Sequence, residues 1–282
     1  MQFGAVFPQT EIEPDPGAIK AYAQSLEEMG FDYILAFDHV LGAGPSEKKR
    51  PYTHKSQFME PFALFAFLAG VTTRIGFATG IVILPQRQTA LVAKQAAVVD
   101  VLSGGRLRVG VGIGWNDVEY EALGEDFHNR GRRCEEQIEV LRALWTQELV
   151  TFKGRWHTIT SAGINPLPVQ RPIPIWIGGS AEPVMKRVGR LGDGWMAQRF
   201  TAEDFERIKG YARAAGRDPS KIGLEGRVSL LRSTPDEIAR QVEEWRRHGA
   251  SHVCFHTRDG GFKTAEEHVA ALRRVSEIVK RG

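Results

Sequence analysis

Residues 74–115 read RIGFATGIVILPQRQTALVAKQAAVVDVLSGGRLRVGVGIGW. Two apolar runs suited to strands, 75–78 and 107–111, flank a helix over 91–102 that stops at Gly104-Gly105. A strand, a helix and a second strand of these lengths make a parallel crossover unit. Both runs end in glycine: Thr79-Gly80 after the first, Gly112-Ile113-Gly114-Trp115 after the second. Glycine just beyond a parallel strand often marks a close approach of the backbone to something else. Barrels and open α/β sheets bind ligands at those strand ends.

The same alternation continues in both directions. Before the unit come a strand over 3–7, a helix over 18–29, a strand over 32–37, a polar loop to about residue 57, and a buried apolar helix over 58–69. The first helix sets Ile19, Tyr22, Leu26 and Met29 at helical spacing and stops at Gly30. After the unit comes a helix over 132–145 with Cys134, Ile138, Leu141 and Trp145 facing inward. Residues 149–159 predict a β-hairpin turning at Lys153-Gly154, and the proline-rich run 165–174 is not regular structure. Strands over 175–177, 194–196, 222–230 and 252–255 then alternate with helices over 183–192 and 201–215, one opened by Thr234-Pro235-Asp236-Glu237, and one over 264–279. Thr234 and Glu237 form a capping box, and Thr201 with Asp204 a simpler cap.

Eight strands alternate with helices, and no repeat or linker divides them. The expectation is one α/β domain over 1–282, a (β/α)8 TIM barrel with a small hairpin insertion before strand five. The 282 residues suit a fold of typically ~250. An open doubly wound sheet is the alternative, but no GxGxxG follows the first strand.

The net charge of +3 is small and scattered. Short basic runs such as Lys48-Lys49-Arg50 and 130–133 read as solvated faces, without the interleaved aromatics of a nucleic-acid surface. Cys134 and Cys254 are too few for a disulfide framework or zinc motif and read as buried thiols. No secretory leader and no apolar run near ~20 residues is evident, so a cytoplasmic protein without membrane contact is expected. The histidines at 54, 128, 157, 248, 252 and 256 show no metal spacing, so no metal is expected; His256, just past strand eight, is the one closest to a strand-end site. No GxSxG elbow is present.

Four places carry candidate chemistry. Asp38-His39 follows strand two directly, either as a cap-like pair bonded to nearby backbone or as a proton-exchanging pair, since imidazole titrates near neutrality. Thr79-Gly80-Ile81 ends strand three, either as a plain strand terminus or as backbone approaching a ligand. Gly178-Gly179-Ser180 precedes a helix start, either as an ordinary turn capped by Ser180 or as an anion site of free N–H groups, with Glu182 nearby as an objection. Gly112 to Asn116 ends strand four; Trp115 lines a pocket or fills core, and Asn116 caps the next helix or bonds a ligand's polar edge.

Taken together, Ala36-Phe37-Asp38-His39, the 74–115 stretch and residues 174–180 resemble the bacterial luciferase-like family, and within it the branch that uses the deazaflavin coenzyme F420. The resemblance runs from near residue 1 to about 200. It implies that His39 and Asp38 act beside the reactive centre of the ring, and that a non-proline cis bond at Gly80–Ile81 backs that ring. It further implies that Gly178-Gly179-Ser180 takes the cofactor phosphate. Asp38, His39, Thr79, Gly80, Ile81, Gly112, Asn116, Gly178, Gly179 and Ser180 would then bind cofactor, and Trp115 the substrate. Sugar-phosphate dehydrogenases of this branch carry a glutamate where this chain has Trp115, so their proposed general acid is missing here. The implied function is hydride transfer between F420 and a small apolar or aromatic molecule. A monooxygenase using reduced FMN and oxygen is one alternative. A non-catalytic flavin-binding barrel and a phosphate-binding isomerase barrel without flavin are the others. Members of the family often pair, which implies a homodimer.

Overall fold

The computed structural model describes residues 1–45, 50–197, 200–231 and 233–280. Lys48 and Lys49 of the first basic run lie outside the described residues. Their neighbour Arg50 pairs with Asp117 at 2.7 Å.

The strands are β1 (Gln2–Val6), β2 (Tyr33–Ala36), β3 (Gly76–Thr79), β4 (Val82–Ile83), β5 (Leu107–Gly112), β6 (Val150–Lys153), β7 (Thr158–Ala162), β8 (Ile175–Gly178), β9 (Gly194–Met196), β10 (Gly223–Ser229) and β11 (His252–His256). The helices are α1 (Pro16–Met29), α2 (Pro61–Ala69), α3 (Thr89–Ser103), α4 (Asp117–Ala122), α5 (Arg130–Thr146), α6 (Glu182–Leu191), α7 (Ala202–Ala214), α8 (Pro235–Arg247), α9 (Ala265–Arg273) and α10 (Ser276–Lys280). Parallel pairing runs β1-β2-β3-β5-β8-β9-β10-β11 and returns to β1, which closes an eight-stranded (β/α)8 barrel. The short β4 bonds to β5 outside that ring, and β6 with β7 is a separate antiparallel hairpin before β8.

Two apolar regions follow from strand alternation. One side of each strand packs on the helices, burying residues such as Phe3, Ile34, Phe77, Val109 and Phe255. The other side fills the barrel with Val6, Tyr33, Leu35, Ala78, Trp176, Met196 and Cys254. Strand glycines make room for its large rings: a Cβ on Gly4 would sit 2.3 Å from the Tyr33 ring, and one on Gly194 2.3 Å from Trp176. Both cysteines are buried, and burial pushes the Cys134 thiol up to about 12. No helix among the described residues is long and apolar enough to cross a membrane.

The structure corrects several boundaries. The apolar helix starts at Pro61, not 58. Glu60 is held extended (φ −63°, ψ 121°) ahead of proline, and its carboxylate accepts the Ala63 N–H at 2.7 Å. The central helix begins two residues earlier, at Thr89. The closing helix is two pieces, α9 and α10, separated at Arg274-Val275. The caps at Thr201, Thr234 and Gly30 form as the sequence predicts, Gly30 with φ 89°.

Three imidazoles sit where burial disfavours their charge. His252 is pushed down to about 3, with Arg108 adding to the effect, and His256 and His268 to about 4. The unfolded chain protonates them near 6.5 and so binds more protons below that pH. Their contribution is therefore fully present above pH ~6.5 and is lost as pH falls toward the folded values. Tm should drop by roughly 5 °C or more between pH 7 and pH 5, above the range where carboxylates titrate. A flat Tm over that interval would contradict the assignment, and His268→Gln should reduce the slope.

Candidate active site

A cavity of about 500 Å³ opens at the C-terminal ends of the barrel strands. That volume lies within the range of small-molecule sites. Phe37, Asp38 and His39 reach it from β2, Gly80 and Ile81 from β3, and Gly112 to Trp115 from β5. Gly178, Gly179 and Ser180 reach it from β8. The fold thus brings most of the candidate residues to one rim.

His39 is the best-positioned proton carrier on that rim. Its Nδ1 lies 3.2 Å from Oε2 of Glu119, whose side chain is fully buried. Glu119 also accepts the Val40 N–H at 2.9 Å. Burial pushes the Glu119 carboxyl up, but the His39 hydrogen bond and charge, with the Leu41 and Val40 N–H groups, outweigh it and hold the group below its ordinary value. Tyr52, Phe58 and Trp115 surround the imidazole, with ring centroids 5.0, 4.8 and 5.8 Å away. Trp115 remains 43% exposed, so one face of the indole is open at the cavity mouth.

Asp38 lines the same cavity, but both its oxygens are engaged. Arg87 Nη2 donates to Oδ1 at 2.7 Å, and Oδ2 accepts the Ile83 N–H at 3.0 Å. Burial pulls the Arg87 guanidinium down, yet Asp38 and Glu60 outweigh it and raise its pKa. The arrangement ties the end of β2 to the chain after β3 and fixes where His39 starts.

The peptide Gly80–Ile81 is cis. A Cβ on Gly112 would meet the Ile81 side chain at 2.6 Å, and one on Gly178 would meet it at 2.8 Å. The missing side chains at 112 and 178 therefore admit Ile81, which closes the barrel mouth as an apolar floor. Two candidate side chains are engaged by the protein itself. Thr79 is fully buried and donates its hydroxyl to the Gly110 carbonyl at 2.7 Å, so its side chain faces the barrel wall. Asn116 stands at the N-cap position of α4 without capping it, because its side-chain oxygen accepts from Arg50.

Gly179 (φ 120°) bends the chain between β8 and α6 in a region that favours glycine. The N-cap of α6 is Ala181, with no side-chain cap, so Ser180 is not the cap. In the first turn of α6, Pro183 carries no N–H and the Val184 N–H bonds the Ala181 carbonyl at 2.8 Å, which leaves the Glu182 N–H as its remaining backbone donor among the described residues. The Glu182 objection falls away, because that carboxylate is taken by Arg207 and by the Tyr211 hydroxyl of α7. Trp195 Nε1 donates to the Gly179 carbonyl at 2.7 Å and pins the turn from below. Gly179→Asp adds a negative charge here and forces a side chain into φ 120°. It should abolish binding of a phosphate-bearing flavin or deazaflavin, read by equilibrium titration; unchanged affinity would move the phosphate elsewhere.

Sequence reading missed Glu119 and Arg87, which bond His39 and Asp38, and Arg227 and Arg258, which line the cavity. Glu119 had a faint signal: it lies three residues after Asn116, where first-turn acids simply suit a helix N-terminus. Its partner is 80 residues away, so only the fold reveals its role.

A model of a family described as luciferase-like monooxygenase matches residues 1–277. The uncharacterized protein Rv0940c of Mycobacterium tuberculosis is 36% identical over 77% of this chain and 78% of its own length. The F420-dependent hydroxymycolic acid dehydrogenase of the same organism is 29% identical over 86% of this chain and 66% of its own. Pyrimidine monooxygenase RutA of Cronobacter sakazakii is 31% identical over 82% and 69%. Among solved structures, monooxygenase RslO1 of Streptomyces bottropensis superposes with a TM-score of 0.80, covering 98% of each chain at 20% identity.

Proposed function

Because this chain belongs to the luciferase-like monooxygenase family, we propose that it is an F420-dependent oxidoreductase acting on a small, flat, apolar or aromatic molecule. The observation that carries the reading is His39, set on a strand-end pocket with its Nδ1 on the buried carboxylate of Glu119. Similarity to an F420-dependent dehydrogenase supports it.

The residues fit the cofactor. Ile81, seated against Gly112 and Gly178, offers a flat apolar backing for a tricyclic ring, and the Gly179 bend with the Glu182 N–H at the start of α6 offers room and a donor to a phosphate. When bound, the deazaflavin supplies a carbon that carries hydride. The protein supplies orientation and a proton path. Glu119 accepts the His39 Nδ1–H, which leaves Nε2 as the atom that exchanges a proton with substrate. Asp38, locked by Arg87, positions His39 and does not itself move a proton. Trp115 presents an apolar face where a flat substrate can stack, contributing ~0.5–1.5 kcal/mol beyond area burial if that substrate is aromatic.

We read residues 1–282 as one barrel domain working in the cytoplasm as a homodimer. Phe67 on α2 and Leu91 and Leu102 on α3 are 41%, 53% and 56% exposed and give such a pairing an apolar face.

Side-by-side titration with F420 and FMN tests the cofactor. We expect F420 to bind at least ~10-fold tighter, since His39 suits a cofactor whose redox step moves a proton with the hydride. A second reading, a monooxygenase using reduced FMN and oxygen, is favoured by the similarity to a pyrimidine monooxygenase. Equal or reversed affinities would put that reading first. Binding without turnover on any substrate would leave a non-catalytic barrel.

A further inference from the structure

Arg227 of β10 and Arg258, just beyond β11, both line the strand-end cavity. Their guanidinium carbons lie 5.5 and 5.3 Å from the centre of the Phe37 ring, the residue two before His39. Arg258 also approaches the Tyr52 ring at 5.8 Å. Two further arginines near this rim have carboxylate partners: Arg87 holds Asp38 and Glu60, and Arg50 holds Asp117. Arg227 and Arg258 form no ion pair among the described residues. Glu11, which feels Arg258 only weakly, accepts the Asp259 N–H at 2.9 Å. Two half-buried guanidiniums thus lie near one aromatic ring and line a cavity, with no hydrogen-bond acceptor for their donors among the described residues.

The strand order says which part of a ligand they would meet. Around the ring, β10 lies opposite β3, and β11 opposite β5. Gly80–Ile81 and Gly112 end β3 and β5, so the arginines stand directly across the barrel mouth from the proposed backing of the ring. The phosphate turn after β8 is separated from β10 by β9. A cofactor backed on Ile81 with its phosphate at Gly179 leaves the arginines on the substrate side, next to His39.

We propose that Arg227 and Arg258 form a clamp for an oxyanion on the substrate, so that the substrate is a planar unsaturated or aromatic molecule bearing a carboxylate. This deepens the proposed function and rests on its placement of the cofactor. Guanidinium forks match carboxylate and phosphate geometry alike, and their charge is retained at any working pH. The aromatic group of Tyr52, Phe58 and Trp115 around His39 suits the flat body of such a molecule. The two arginines suit its charged end. Their placement within cation–π reach of Phe37 restrains them before binding, which lowers the ordering cost.

The test is a binding titration of the F420-loaded protein with cinnamate and with methyl cinnamate, which share a flat body and differ in charge. Cinnamate should bind at least about tenfold tighter, as expected for charge-assisted hydrogen bonds. Raising the salt concentration should weaken the acid and leave the ester unchanged. The double variant Arg227→Gln, Arg258→Gln should erase the preference while keeping the ester and F420 affinities within about twofold. Equal affinity for acid and ester in the unmodified protein would overturn the clamp. So would a double variant that loses F420 affinity and keeps the preference, because the arginines would then serve the cofactor. If inorganic phosphate competes with cinnamate but not with F420, the shared oxyanion chemistry is placed on the substrate side; competition with F420 alone overturns it. The salt comparison uses only unmodified protein and decides the matter should the variant fail to fold. Repeating the titration with FMN-loaded protein separates the two claims: the acid preference can persist when the F420 reading fails.

Discussion

His39→Ala should lower turnover by about 10²–10⁴-fold while changing cofactor affinity only a few fold. A group that exchanges a proton as hydride moves matters most in the transition state, where a truncated side chain has no substitute. The packing of His39 against Tyr52, Phe58 and Trp115 predicts a modest loss of order in the cavity mouth, and this sets the few-fold effect on binding. Glu119→Gln separates positioning from shape. The amide keeps the volume and can bond Nδ1, but removes the carboxylate charge facing the ring, so the pH profile of turnover should shift. An unshifted profile would make Glu119 a packing residue. If His39→Ala instead weakens cofactor binding in step with turnover, the imidazole is only a contact.

The fold was legible because each strand and helix carries its own periodicity and punctuation. Gly30, Gly104, Thr201 and the Thr234–Glu237 box are local signals, and each acts within a few residues of where it is written. Boundaries missed where a neighbour decided them: Pro61 forces Glu60 out of the helix, so the apolar pattern from 58 overran. The two-residue β4 has no period to detect, since it exists only by pairing with β5.

The site was half legible for a related reason. Asp38-His39, Gly80 and Gly178-Gly179-Ser180 could be read because strand ends of a barrel converge on one rim. What each of them touches could not. The glycines at 112 and 178 admit the Ile81 side chain, which no local pattern announces. Glu119 reaches His39 across 80 residues, Arg87 reaches Asp38 across 49, and Thr79 turns away to Gly110. Long-range polar partners are set by register and closure of the sheet, and a single sequence carries no trace of them.

A second large effect is expected at the other end of the barrel. Glu225, fully buried on β10, accepts from Arg108 Nη2 of β5 at 2.5 Å and from the Tyr33 hydroxyl at 3.0 Å. The Arg108 guanidinium lies 4.6 Å from the Tyr33 ring centre and 4.2 Å from that of Trp176. Burial lowers its pKa, but Glu225 and Tyr33 outweigh that and keep it raised and charged. Glu225→Ala leaves that charge buried without a counter-ion and should cost ~3–5 kcal/mol in denaturant unfolding. Replacing both partners, as Arg108→Met with Glu225→Leu, should recover most of the loss, because well-packed apolar groups often match a buried pair. Turnover per folded molecule should stay unchanged in both variants, since neither residue lines the strand-end cavity. A single variant no less stable than the double would show that Arg108 reaches water, and the ion pair would then be a surface feature of the barrel floor.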